Sequence, residues 1–120
     1  SGGWRRHGWW PRLDRATTTL EERIPDGSTF ALLDDAAWGM TTLGERRAVP
    51  FPATDDGMWA GVSGSDTEAE AALDDAIADR VGFLVIGWNA RWWLDEFVSL
   101  KDRLGTPVVS TRDVDVYSLS

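Results

Sequence analysis

Apolar positions along the chain fall into two kinds of run, and the two kinds alternate. Leu13, Ala16, Leu20 and Ile24 recur at steps of three and four behind Pro11. That spacing gives a helix one apolar face, and proline suits a first helical turn. Pro25-Asp26-Gly27 closes the segment with a turn. Thr29–Leu33 (TFALL) is a short apolar run ended by Asp34-Asp35. Such a run predicts a strand buried on both faces, the kind found in parallel sheets. Residues 47–51 are a candidate second strand, which Pro50 restricts to an edge or shortens. Residues 52–66, rich in Gly, Pro, Asp and Ser, read as a long loop.

A helix is predicted over 67–80, with Ala69, Leu73, Ala76 and Ile77 as its buried stripe. Ser65 with Glu68, or Thr67 with Glu70, offers a capping box. Residues 82–88 (GFLVIGW) form the clearest strand. A further helix is expected over 90–104, its inner face made by Trp93, Phe97, Leu100 and Leu104, with Gly105 and Pro107 as stop signals. Residues 108–112 and 114–119 read as two closing strands joined tightly at Arg112-Asp113.

The order α-β-β-α-β-α-β-β predicts an α/β domain: a small three-layer, Rossmann-like, mostly parallel sheet with a C-terminal antiparallel hairpin. Numbering these five strands by appearance, the expected order across the sheet is 2-1-3-5-4. Residues 11–120 form the single domain. Residues 1–10, with Trp4, Trp9 and Trp10, read as a linker or docking arm, and the domain is expected to belong to a larger protein, in the cytoplasm or outside it.

Composition narrows the chemistry. The net charge is −8 and no basic stripe exists, which argues against a nucleic-acid partner. No run of ~18 apolar residues is present, so membrane insertion is not expected. The chain has no cysteine and one histidine, His7. Thiol catalysis and zinc–thiolate sites are excluded, and a Ser-His-Asp relay or His-based metal site has little to draw on. No cofactor and no metal are expected. Eight tryptophans in 120 residues are the outstanding feature, because tryptophan serves both cores and binding surfaces.

In an open parallel sheet, ligands sit beyond the C-terminal strand ends, where the strand order reverses. Here that place falls between TFALL and GFLVIGW. The first run is followed by Asp34, Asp35 and Trp38, the second by Trp88, Asn89, Arg91 and Trp92. Phe51 and Trp59 follow the second strand. The candidate ligand-binding set is therefore Asp34, Asp35, Trp38, Phe51, Trp59, Trp88, Asn89 and Trp92. Ordinary structural roles compete for several of these. Trp93 is in phase with the helix core, Trp88 ends a buried strand, Asn89 is placed to cap a helix, and Arg91 reads as solvated. Trp38 and Trp59 are loop tryptophans that either plug a small core or meet a ligand.

Acidic pairs occur at Asp34-Asp35, Asp55-Asp56, Asp74-Asp75 and Asp95-Glu96. Only Asp34 or Asp35, at the end of a central strand, merits a chemical role. Asp113-Val114-Asp115 has the D-x-D form of metal–nucleotide sites in sugar transferases, but it falls in a hairpin turn, where aspartate is common. Gly61-Val62-Ser63-Gly64 lacks the lysine and spacing of a phosphate loop.

Residues 12–120 resemble a small α/β domain of bacterial and archaeal glycosyltransferase and polysaccharide-modification systems. The resemblance is carried by RLDRATTTLEERIPDGSTFALLDD, LGERRAVPFP, TEAEAALDDAIADRVGFLVIGWNARWWLDEF and PVVSTRDVDVYSL. It departs from the commoner pattern at Gly87-Trp88-Asn89-Ala90 and brings no catalytic residues with it. It implies a carbohydrate or surface-polymer context: a non-catalytic accessory domain binding a saccharide, a nucleotide sugar or a partner domain through its aromatic edge. A small sugar-processing enzyme using Asp34 or Asp35, and a purely structural interaction module, are the other readings.

Overall fold

The computed structural model describes residues 9–119. The elements are α1 (Trp9–Arg23), β1 (Thr29–Leu33), β2 (Thr42–Leu43), β3 (Arg46–Pro50), α2 (Asp66–Ala78), β4 (Phe83–Gly87), α3 (Trp92–Glu96), α4 (Val98–Leu104), β5 (Val109–Ser110) and β6 (Val114–Ser118). Because α1 starts at Trp9, two residues read as part of an arm are helical; Trp4 lies outside the described residues.

One six-stranded sheet runs β2-β3-β1-β4-β6-β5. The five strands expected from sequence take the expected order, and β2 is added outside β3. The expected C-terminal antiparallel hairpin is present as β5–β6, but the expectation of a mostly parallel sheet is corrected. Only β1–β3 and β1–β4 pair in parallel, while β2–β3, β4–β6 and β5–β6 are antiparallel. Two hairpins cause this. Gly44, at φ 60°, lets the chain reverse between β2 and β3. The β5–β6 hairpin returns its second arm against β4, so the arm beside the sheet centre runs backwards. Both edge strands are two residues long, which gives another chain little to pair with.

The sheet is covered on both faces. Along β1 and β4, successive side chains alternate between two cores, as the pleat requires. Phe30, Leu32 and Val85 meet Leu13, Ala16, Leu20 and Ile24 of α1. Ala31, Leu33, Leu84 and Ile86 meet Ala69 and Leu73 of α2, Trp93 and Phe97, and Leu100 of α4. This double burial is why residues 30–33 and 83–86 carry no polar side chain.

Ser65 caps α2, its hydroxyl accepting from the Glu68 amide at 3.2 Å. The α2 stripe passes through Ala69, Leu73 and Ala76, whereas Ile77 is 42% exposed. At 100° per residue, Ile77 lies roughly 80° round from Ala69, off the buried face. The single helix expected over 90–104 is broken instead. Trp88–Ala90 forms a 3-10 turn, and Phe97, at φ −112° and ψ 81°, separates α3 from α4. Trp93, Phe97 and Leu100 stay buried through the break, so helical spacing does not report it.

Candidate functional site

Since β1 and β4 are adjacent and parallel, the segments leaving Leu33 and Gly87 meet at one rim. Asp34 organises the first segment. Its carboxylate accepts from the Ala36 amide at 3.0 Å and the Trp38 amide at 2.9 Å. Burial pushes the Asp34 carboxyl above the usual carboxylate range, and the hydrogen bonds from Trp38 and Ala36 oppose that. Asp35 and Ala36 follow in the left-handed region, at φ 54° and 58°. A conformation this sparse in non-glycine residues persists only where neighbours over-determine it.

Those neighbours come from the β4 side. Asn89 donates to the Asp34 carbonyl oxygen at 2.8 Å and accepts from Trp38 Nε1 at 3.1 Å. Asp35 accepts two indole N–H groups, from Trp92 at 2.8 Å and from Trp93 at 2.7 Å. Trp38 packs on Trp88 with centroids 5.3 Å apart, and the Arg12 guanidinium lies 4.7 Å from the Trp88 ring centroid. Six of the eight candidate residues (Asp34, Asp35, Trp38, Trp88, Asn89, Trp92) thus share this rim. Their polar atoms grip one another: the rim is a clasp. Asn89 joins the two segments instead of capping a helix, since no side-chain cap bond is made there.

The remaining two candidates lie elsewhere. Phe51 is buried, edge-on to Trp93 at 6.4 Å, and belongs to the α2-side core. Trp59 is 36% exposed on a loop closed by an Ala53–Trp59 bridge and a turn in which the Thr54 amide donates to the Met58 carbonyl at 2.7 Å.

Two cavities open on the β1–β3 side. A groove of 260 Å³ is lined by Leu32, Asp34, Ala36, Met40, Ala48, Pro50, Met58 and Trp59 among others. A cleft of 610 Å³ lies between α2 and the β1–β3 pair, with Phe51 in its wall. Neither is lined by Asp35, Trp38, Trp88, Asn89 or Trp92. Sequence reasoning missed Met40 and Met58, the only methionines of the chain. Their shared place in the groove could not be read from a separation of eighteen residues.

Arginines at the hairpin were also missed. Arg91, read as solvated, donates to Asp115 at 3.0 Å and to the Arg112 carbonyl at 3.1 Å, and also reaches the Thr111 carbonyl. Asp113 accepts from Arg12 and Arg15, each at 3.0 Å. Both carboxylates of the D-x-D motif are therefore held by arginine. Among the described residues, no group of three or more His, Cys, Asp or Glu is placed to hold a metal ion, and no helix is long and apolar enough to cross a membrane.

Burial alone would raise the Asp113 carboxyl, but hydrogen bonds and charge from Arg15 and Arg12 outweigh it and hold the group below its usual value. A depressed folded-state value means stability that is present above the ordinary carboxylate pKa and lost as pH falls through the lowered one. Asp113→Asn is therefore expected to cost about 1–2 kcal/mol at neutral pH, the partners being partly solvated. The difference from the parent should shrink toward acid in urea unfolding across pH 2–7. A difference that is flat with pH would contradict this assignment.

No protein-family model, curated protein or solved structure matches this chain. None of them links the chain to glycosyltransferase systems.

Proposed function

We propose that this domain is a non-catalytic binding module whose groove at the C-terminal edge of β1 and β3 takes an apolar side chain of a basic partner polypeptide. The observation that carries the reading is the grouping of both methionines with an exposed tryptophan around one apolar groove. Met58 is 64% exposed, and flexible, polarizable methionine is over-used at surfaces that adapt to partner proteins. A net charge of −8, with Asp55 and Asp56 beside Met58, favours basic flanks on that partner. The enzyme reading has less support, because each carboxylate oxygen of Asp34 and Asp35 already accepts an N–H.

A saccharide is the second reading. The exposed rings of Trp59 and Trp92 favour it, as does the likeness to glycosyltransferase-associated domains. The two separate in one experiment, in which methyl-labelled methionines are followed by NMR. A basic amphipathic peptide should shift Met40 and Met58 saturably, and Trp59→Ala should weaken it roughly 30-fold, as loss of a central aromatic anchor does. Shifts produced by neutral oligosaccharides instead would favour the saccharide. Silence toward both would remove the binding reading at this edge.

A further inference from the structure

We propose that the cleft between α2 and β3 is a separate site for a small, amino-acid-like zwitterion carrying net positive charge. Small residues line the cleft from both sides: Ala31 on β1, and Ala72 and Ala76 on α2. Its 610 Å³ falls in the size range of small-molecule pockets.

Sheet register brings a cation to one wall. Thr29 pairs with Arg47 and Ala31 with Val49. Ala31 belongs to the α2-side core, so period-two alternation turns Arg47 toward the same side. The opposite wall is α2, which contributes Asp75 and Asp79. None of the ion pairs within 4.0 Å among the described residues involves Arg47, Asp75 or Asp79. Opposite charges thus face one cleft without neutralising each other, and a ligand spanning it can meet both.

The arrangement selects the ligand's chemistry. Arg47 presents a fork suited to a carboxylate. Asp79 caps the C-terminal end of α2, where the helix dipole favours a cation. Asp55 adds a third carboxylate to the lining against the single arginine, so a net positive ligand fits best. Between the charges the lining is aliphatic, with Ala72 and Ala76 partly exposed and Ala31 and Val81 buried. The only aromatic in the lining, Phe51, is 1% exposed and offers no face on which a sugar ring could stack. A basic amino acid or a short basic peptide matches all of this.

The test uses L-lysine as the probe and 1,5-diaminopentane, which lacks the carboxylate, as its control. Amide NMR should show saturable shifts at Thr29, Ala72 and Ala76, with the Met40 and Met58 methyls unmoved, which separates this site from the groove. Arg47→Gln should weaken lysine about tenfold, the worth of one charge-assisted contact at an exposed position, and should not weaken the diamine, which loses only a like charge. Joint Asp75→Asn and Asp79→Asn changes should weaken both probes. These side chains are exposed, so circular dichroism should report an unchanged fold. Ala76→Leu, which fills the cleft from the helix, should abolish binding. The proposal is overturned if lysine gives no saturable shift at these amides, or if Arg47→Gln affects lysine and the diamine alike. Glucose binding there, undisturbed by the charge variants, would also overturn it.

Discussion

Gly87→Ala is expected to destabilise the protein by about 3 kcal/mol in urea unfolding, at the upper end of what overpacking a filled core costs. The backbone at Gly87, with φ −70° and ψ 158°, suits any residue, so conformational freedom does not explain the glycine. Space does. A Cβ there would lie 2.5 Å from Cζ2 and 2.9 Å from Cε2 of Trp38, and 2.9 Å from Asn89 Oδ1. Trp38 cannot yield freely, because its indole N–H is bonded to Asn89 and its ring packs on Trp88. Gly82→Ala is the control: its Cβ would meet only the Thr29 carbonyl oxygen, at 3.8 Å, and the cost should stay within about 1 kcal/mol. Equal effects at the two glycines would mean that the close approach of Trp38 to β4 is not what constrains position 87.

The second large effect belongs to Asp35. Asp35→Ala removes the acceptor of two indole N–H groups, one of them from the fully buried Trp93. The expected loss is about 3 kcal/mol, from the lost charge-assisted bonds and the desolvated donor left behind. Asp35→Gly separates the bonds from the backbone, since glycine accepts the left-handed conformation while alanine adds strain of order 1 kcal/mol. Asp35→Asn keeps one acceptor and turns an NH₂ toward the other indole, so it should fall between the parent and Asp35→Ala. Tryptophan fluorescence during unfolding reads all three variants. If Asp35→Ala unfolds at the parent's midpoint, the two indole bonds contribute nothing and the clasp is decorative.

The clasp explains why the rim was legible while its use was not. TFALL and GFLVIGW were readable as neighbouring parallel strands because double burial leaves a continuous apolar run in each. From there the meeting of Asp34, Asp35, Trp38, Asn89 and Trp92 follows. Whether such residues enclose a ligand or one another depends on angles and spacing that no linear pattern carries. Asp35 reaches its indole partners across 57 and 58 residues. In the structure those side chains close the space in which a pocket was expected, and both cavities lie on the other side of β1.

The sequence by itself determined most of the element types and bounds and the closing antiparallel hairpin. These follow from the periodicity of burial and from glycine, proline and capping residues, all properties of consecutive positions. Tertiary structure alone decided the β2–β3 hairpin, the break at Phe97, the arginine grip on Asp113 and Asp115, and the location of the empty space. A cavity is what remains after packing. It depends on small side chains such as Ala31 and Ala76 arriving opposite each other from separate segments, and nothing local encodes that encounter.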